Sequence, residues 1–349
     1  MTSRPNSSDP EPSPALGSAP APGPGPAQGR SGSAPGPDSA LGELFRALGS
    51  LVEPPTPAAQ RLADLLDLGP LPTEADYTQL FLFQLPPYAS VYLGPEGMLG
   101  GEARDRIAGF WRALRQVPPA EPDHLAVMLA FHARLTEEEA GSEQARERGA
   151  WRWARKAFLW EHLLPWLPPY LGKIDDLGPP FYKRWAGLLE DALREEVSAL
   201  GAQERLALHL REAPGVTDPR NEDHDGFVGA LLSPVRSGMI LARADLGRAG
   251  RELDLGTRAG ERRLILKGLL EQNPARMLEW LRLEAASWAA SHGLPDPLAP
   301  GIARFWRGKA EAAADLLGDL AEGTRLEQGG GAPGRAEAGA WRPAGPETE

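Results

Sequence analysis

Residues 77–131 decide the fold, and they read YTQLFLFQLPPYASVYLGPEGMLGGEARDRIAGFWRALRQVPPAEPDHLAVMLAF. An aromatic-rich entry is followed by two segments whose apolar side chains recur every three or four residues. The two apolar sets are Ile107, Phe110, Trp111 and Leu114, then Leu125, Met128, Leu129 and His132. Such spacing is typical of amphipathic helices. The stretch therefore predicts one amphipathic helix and a second helix that opens at an acidic cluster with a histidine.

The same helical spacing continues on both sides of this stretch. Apolar residues between Leu41 and Val52 share one face of a helix that ends before a proline pair, and Leu62, Leu65 and Leu66 mark another. A stripe from Trp151 to His162 ends at a group of prolines, residues 181–200 predict a helix, and a last helix is expected over about 300–320. Strand signals are weak. The sequence predicts an all-α fold.

Composition divides the chain into five parts. Residues 1–40 are mostly Pro, Gly, Ala and Ser, and the tail 323–349 contains GGGAPGRAEAGA. Neither segment can bury enough apolar surface to offset its ordering entropy, so both are expected to be disordered. The acidic segment 213–226 is predicted to be a linker. It separates a helical domain over 41–212 from a helical extension over 227–322, for which no motif suggests a role.

Charge and cysteine content exclude several classes of protein. The 349 residues include 37 basic and 48 acidic side chains, for a net charge of −11, which argues against a nucleic-acid binder. Cysteine is absent, so disulfides and thiolate zinc sites are excluded. A run of about 18 apolar residues does not occur, and the first 40 residues lack the pattern of a secretion signal. We expect a cytoplasmic protein without a membrane span.

The most distinctive polar cluster is Glu121-Pro122-Asp123-His124. Acidic groups and a proline are typical of a helix start, which would place His124 in the first turn as an ordinary surface residue. The alternative interpretation is a polar site at the mouth of a groove, able to accept hydrogen bonds from a guanidinium. Such charge-assisted bonds contribute about 1.5–3 kcal/mol each. Both interpretations remain open.

A second candidate is the aromatic element before it. Tyr77, Leu80 and Phe81 have the spacing of one helical face. For Leu80 and Phe81 this pattern is typical of core residues. Tyr77 and Tyr92 are less certain, because a buried tyrosine hydroxyl needs a partner and tyrosines often lie at the rim of a binding surface.

Other features leave alternatives open. The acidic-histidine group 222–225 could bind a divalent metal, although a solvated acidic loop is more common. A metal-dependent hydrolase that uses His124, His132 or this group is one rival function, and a helical scaffold that binds another protein through 227–322 is a second. A glycine-rich phosphate loop, a GxSxG element and an HExxH element are all missing. Neither a cofactor nor enzymatic activity is predicted.

Two motifs in this order resemble the TorD/DmsD family of cytoplasmic chaperones for molybdenum-cofactor oxidoreductases. They are the aromatic-x-x-Leu-Phe element over 77–81 and the acidic-Pro-Asp-His element over 121–124. The segments SVYL at 90–93 and AFLWEHLLPWLPPYL at 157–171 are also similar to that family. The resemblance covers roughly residues 70–212. One departure is that the family often has a residue between Pro and Asp, which makes the orientation of His124 uncertain.

The resemblance implies an all-helical protein that binds the twin-arginine signal peptide of a partner enzyme. Binding would delay export until the cofactor has been inserted. The implied partners are that peptide and the body of a molybdenum-cofactor oxidoreductase. Four residues would line or support an apolar groove: Tyr77, Leu80, Phe81 and Tyr92. Three would form its polar mouth: Glu121, Asp123 and His124.

Overall fold

Helices account for the regular structure of the chain. A computed structural model describes residues 37–221, 224–295 and 297–329, which contain sixteen α-helices and two π-helical turns. No β-strand occurs within those three ranges, and the predicted all-α fold is confirmed. None of the helices in the described ranges has the length and apolar character needed to cross a bilayer.

The helices divide into an earlier and a later group. The earlier group is α1 (Pro37–Ser50), α2 (Pro57–Leu65), α3 (Glu74–Tyr77), α4 (Ala89–Leu93), α5 (Gly101–Ala113), α6 (Leu125–Gly141), α7 (Ala145–Phe158), α8 (Leu167–Leu177), α9 (Pro180–Leu200) and α10 (Leu208–Arg211). The first π turn (Thr78–Gln84) follows α3, and the second (Leu159–Leu163) follows α7. The later group is α11 (His224–Leu232), α12 (Pro234–Ser237), α13 (Arg243–Leu253), α14 (Arg262–Gln272), α15 (Pro274–His292) and α16 (Pro300–Gly329).

Three predicted boundaries differ from the structure. Helix α1 begins at Pro37, within the segment 1–40 that was expected to be disordered. Helix α11 begins at His224, within the predicted linker. Helix α16 continues to Gly329, beyond both the predicted helix end near 320 and the predicted start of the tail at 323. The rest of both predicted tails, 1–36 and 330–349, lies outside the described residues.

Prolines start a helix where the sequence predicted an end. Helix α8 has Pro168 and Pro169 in its first turn, where the missing backbone N–H would have no helical partner in any case. Leu65, one of the three leucines that marked the second predicted helix, is 83% exposed. Leu62 and Leu66, four positions apart, form the apolar stripe of that segment, and Leu65 lies outside it.

The first π turn redirects the side chains of the aromatic element. Thr73 and Asp76 form a capping box at the start of α3, in which each side chain accepts a hydrogen bond from the backbone N–H of the other residue. The π-helical turn that follows α3 contains about one more residue per turn than an α-helix. The Leu85 N–H donates to the carbonyl of Leu80, five positions earlier, at 2.7 Å. The following residues Leu82 and Phe83 remain 58% and 49% exposed.

Apolar side chains form two buried cores. The first lies mainly among α1, α6, α7, α8 and α9, with α1 packed along α6. The second lies among α11, α13, α14, α15 and α16, with α15 packed along α16. Val235, Ile240 and Trp306 come from the later group of helices but belong to the first core. The predicted division into 41–212, 213–226 and 227–322 stays a prediction.

Polar contacts also join the two groups of helices. The Ser233 hydroxyl donates to the carbonyl of Gly94 at 3.0 Å, and the indole N–H of Trp306 donates to that of Pro165 at 2.9 Å. In addition, Lys173 forms an ion pair with Asp245 at 2.8 Å, with the two side chains 4% and 3% exposed. A second carboxylate, that of Asp176, lies 2.8 Å from the same ammonium. These contacts fix the later helices onto the earlier ones.

A buried ionic network lies at the centre of the first core. The Arg155 side chain is 1% exposed and donates from Nε to Glu196 at 2.6 Å and from Nη1 to Glu139 at 3.0 Å. The Nε2 atom of His132 lies 2.6 Å from the same Glu196. Burial alone would raise the pKa of Glu196, but the hydrogen bonds and charges of His132 and Arg155 lower it to about 2. The network joins α6, α7 and α9.

Candidate functional site

The acidic-Pro-Asp-His element contacts the loop that follows the aromatic element through Tyr88 and His124. The backbones of these residues pair as an isolated antiparallel bridge, and the Leu125 N–H donates to the carbonyl of Pro87 at 2.8 Å. Their rings are in edge-to-face contact, with centroids 4.8 Å apart. The loop that follows the first π turn is thereby attached to the start of α6. This attachment brings the acidic-Pro-Asp-His element next to the aromatic element.

His124 is the N-cap of α6. Its backbone is extended, and its Nδ1 accepts a hydrogen bond from the Ala126 N–H at 3.3 Å. The histidine therefore precedes the first turn, and the prediction that it lies within that turn is wrong by one residue. An imidazole that accepts at Nδ1 carries its proton on Nε2 when neutral. The ring is 7% exposed and so presents only an edge to solvent.

Asp123 lies beneath the surface. It is 2% exposed, its Oδ2 accepts from the Ser90 N–H at 3.3 Å, and its carbonyl accepts from the Ala89 N–H at 3.0 Å. Both donors belong to the first turn of α4, where backbone N–H groups favour a negative charge. Asp123 thus joins α4 to the start of α6, and its carboxylate is engaged within the protein.

Two other carboxylates reach solvent at this place. Glu121 is exposed and accepts a hydrogen bond from the Tyr88 hydroxyl at 3.0 Å. Glu53, just beyond α1, is 54% exposed and has its Oε1 3.7 Å from Nδ1 of His124. The sequence analysis named Glu121 but missed Tyr88 and Glu53. Tyr88 lies inside the aromatic stretch, which was a usable signal, whereas no local pattern connects Glu53 with residues 121–124.

The electrostatics link these groups to Tyr77. Burial lowers the pKa of His124 and outweighs the neighbouring carboxylates, which act in the opposite direction, so the imidazole is neutral at pH 7. Burial, followed by the hydrogen bond to Glu121, raises the pKa of Tyr88 to about 12. Burial, followed by the charge of Glu53, raises the pKa of Tyr77. Because Glu53 acts on both Tyr77 and His124, the two motifs surround the same carboxylate.

The apolar residues predicted for the site are mostly core residues. Leu80 and Phe81 are 2% and 1% exposed, which agrees with the interpretation of their spacing as a core pattern. The partly buried Tyr77 contacts Phe81 edge to face, with centroids 5.3 Å apart. On the same π turn, Leu82 and Phe83 supply the exposed apolar surface.

Tyr92 is also buried, at 1% exposure. Its hydroxyl donates to the carbonyl of Pro86 at 2.9 Å, and its ring stacks on Trp166 at a centroid distance of 5.2 Å. Burial raises its pKa. The residue therefore supports the aromatic element from below and holds its Pro86 turn in place.

The described residues give little support to the metal-binding alternatives. No group of three or more His, Asp and Glu side chains that could hold a metal ion occurs in 37–221, 224–295 and 297–329. His132, one of the histidines considered for metal binding, is 0% exposed and paired with Glu196. Glu222 and Asp223, from the 222–225 group, lie outside the described residues.

A separate cleft of about 750 Å³ lies among α8, α9, α15 and α16. Its basic side chains are already paired: Lys173 with Asp176, Arg194 with Glu190 at 3.1 Å, and Arg248 with Glu284 at 2.8 Å. None of the seven residues predicted for the binding site lines this cleft.

Comparison with known proteins agrees with this arrangement. The family model described as "Nitrate reductase delta subunit" matches residues 39–171, the segment that contains both motifs. The chain is 34% identical over 121 residues to the chaperone protein TorD of Vibrio vulnificus (strain YJ016). Residues 39–171 of this chain are therefore similar to the TorD/DmsD family.

Two further relatives have similar names. The chain is 33% identical over 135 residues to the chaperone protein TorD of Vibrio cholerae (strain O395) and 30% identical over 123 residues to the chaperone protein YcdY of Escherichia coli (strain K12). The aligned segments span 56%, 59% and 60% of the three relatives, and 32%, 36% and 34% of this chain. The chain thus matches little more than half the length of its curated relatives.

Proposed function

We propose that this protein is a cytoplasmic chaperone that binds the twin-arginine signal peptide of a molybdenum-cofactor oxidoreductase. The peptide would bind where residues 77–92 meet residues 121–124. One observation carries the proposal: the Tyr88–His124 bridge attaches the loop after the aromatic element to the acidic-Pro-Asp-His element, with Glu53 and Glu121 exposed beside it. The chaperone names of the relatives support the same class of function. The protein then acts by binding, and the chemistry belongs to its client enzyme.

The proposed site has the chemistry that a twin-arginine signal requires. Such a peptide offers two guanidiniums followed by an apolar stretch. Glu53 and Glu121 can each accept a charge-assisted hydrogen bond, worth about 1.5–3 kcal/mol. Leu82 and Phe83 offer apolar surface on the first π turn. Burial of about 400 Å² of apolar surface would contribute about 10 kcal/mol before association and ordering costs, which leaves micromolar affinity.

The division of roles within the site follows burial. Glu53, Glu121 and the hydroxyls of Tyr77 and Tyr88 are the groups that a peptide can contact. Leu80, Phe81, Tyr92 and Asp123 are buried and hold those groups in place. His124 contributes a neutral ring edge and fixes the start of α6.

The test is peptide binding by fluorescence anisotropy, with a labelled twin-arginine signal peptide and the same peptide carrying Lys-Lys. Glu53→Gln combined with Glu121→Gln is expected to weaken binding at least tenfold, because two acceptors of the guanidiniums lose their charge. Glu137→Gln is the matched control, since this carboxylate on α6 is 48% exposed and paired with Arg46. Unchanged affinity in the double variant, or equal affinity for the Lys-Lys peptide, would contradict the proposed site.

A further inference from the structure

A second cleft, of about 570 Å³, is lined by none of the residues of the proposed peptide site. Helix α5, the second π turn, and α10 with its following loop form its walls. Three nitrogen-bearing side chains line it, one from each wall: Arg106, His162 and His209. None of the three lies in 77–81 or 121–124, although His162 lies in the segment 157–171.

Arg106 carries a partly buried guanidinium whose positive charge is only weakly paired. Its side chain is 27% exposed, and it contacts the 80% exposed carboxylate of Glu102 at 3.7 Å, which is longer than a hydrogen bond. Burial lowers its pKa and outweighs the effect of Glu102. Because a desolvated cation is costly unless it is paired, a negatively charged ligand would stabilise this residue.

His162 is buried and His209 is partly buried, and both rings are neutral. His162 is 6% exposed and packs against Phe110 at 5.1 Å between ring centroids. Burial, then the charges of His209 and Arg106, lower the pKa of His162 to about 3. Burial, then Arg106, lower that of His209 to about 4. The Nε2 atom of His209 is buried and has no hydrogen-bond partner among the described residues.

The carboxylates of the cleft lie at its rim. Glu102, Glu161 and Glu212 are all exposed, and burial of its oxygens raises the pKa of Glu161. Two further cations approach the loop from outside: Arg236 donates to the carbonyl of Gly215 at 2.9 Å, and Lys309 donates to that of Ala213. Acidic groups therefore surround the entrance, while the three nitrogen-bearing side chains lie deeper.

We propose that this cleft binds a small molecule through a phosphate or diphosphate group, held between Arg106, His162 and His209. A guanidinium matches the oxygens of a phosphate, and protonated imidazoles donate to such oxygens from both ring nitrogens. The partnerless Nε2 of His209 gains an acceptor in this complex. A volume of about 570 Å³ is typical of small-molecule sites and leaves room for the rest of the ligand.

Binding at this site is coupled to proton uptake. Both imidazoles are neutral near pH 7 in the free protein, and an adjacent dianion favours their charged forms. Affinity therefore increases as the pH falls from 7.5 to 6.0, since protonation of the histidines then costs less. This site is independent of the proposed peptide site.

The experiment titrates pyrophosphate into the full chain by calorimetry at pH 6.0 and 7.5, in two buffers with different ionisation heats. We expect tighter binding at pH 6.0 and a buffer-dependent heat that corresponds to proton uptake. Arg106→Gln is expected to weaken binding at least tenfold. Arg194→Gln is the matched control, because this arginine lines the other cleft and is paired with Glu190; it should bind pyrophosphate like the unmodified chain.

Proton NMR of the unmodified chain tests the same site, and substituted chains serve only to assign the signals. The six histidines give resolvable ring signals, and His162→Gln and His209→Gln assign two of them. Pyrophosphate should shift these two signals in the direction of protonation. The proposal is overturned if neither signal moves at millimolar pyrophosphate, if Arg106→Gln binds as tightly as the unmodified chain, or if Arg194→Gln is the variant that loses binding.

Discussion

Glu196→Gln provides the sharpest test of the buried ionic network. The substitution keeps the shape of the side chain and removes the charge that Arg155 and His132 share. A shift of the pKa from the ordinary 4.5 to about 2 corresponds to about 3 kcal/mol of stability at pH 7. This agrees with the roughly 3–5 kcal/mol that is lost when one partner of a buried ion pair is removed.

The stability difference between Glu196→Gln and the unmodified chain should decrease as the pH falls. The folded-state pKa of Glu196 is depressed, so its contribution is fully present above the unfolded value of 4.5 and is lost as the pH falls through about 2. The deficit of the variant should therefore be about 3 kcal/mol at pH 7 and shrink to roughly 1 kcal/mol near pH 3. Urea unfolding followed by circular dichroism measures both values.

Glu190→Gln is the control on the same helix. Its carboxylate is 48% exposed and paired with Arg194, so its loss should cost about 0–1 kcal/mol. The reasoning is refuted if Glu196→Gln unfolds at the same urea concentration as the unmodified chain at pH 7. It is also refuted if the deficit at pH 3 equals the deficit at pH 7.

Two further predictions concern contacts made by the later helices. Lys173→Met leaves Asp245 buried without its ammonium, so we expect the free energy of unfolding, measured by thermal unfolding, to fall by about 3–5 kcal/mol. The control Lys183→Met, at an exposed position, should change it by no more than about 0.5 kcal/mol. Equal effects of the two substitutions would contradict the role of the pair. Gly238→Ala should cost more than about 2 kcal/mol, because φ is +72° and the new Cβ would lie 2.3 Å from the Ala310 nitrogen. Gly187→Ala in α9 meets no atom within 4 Å and should gain about 1 kcal/mol; a neutral result at Gly238 would contradict the close approach.

Long periodic segments were predictable from the sequence. Helix α9 spans Pro180–Leu200 against a predicted 181–200, because its apolar stripe has the regular helical period. The π turns were not predictable. One extra residue per turn breaks the helical period, and no particular residue type indicates where this happens. The stripe from Trp151 ends before Pro165 as predicted, but the start of α8 at Pro168 and Pro169 was not predicted, because proline can both end one helix and begin the next.

The candidate site was only partly predictable. Order and spacing of the two motifs indicated that residues 77–81 and 121–124 belong together. Burial inside the acidic element could not be predicted: Asp123 was expected at the polar mouth but is 2% exposed, whereas Glu53, which no pattern indicated, is 54% exposed. Arg155 illustrates the same limit, because its carboxylate partners lie 16 and 41 positions away. Contacts over such separations leave no local signature.

The hydroxyl of Ser233 and the indole of Trp306 have a consequence for how this protein can change over evolutionary time. Each one satisfies a backbone oxygen of the other half, at Gly94 and Pro165. Deletion of the later half would leave both oxygens and the ammonium of Lys173 without those partners at the same moment. Truncation from the C-terminal side therefore lowers the stability of the fold well before it reaches residue 233. We expect the earlier and later groups of helices to be inherited together.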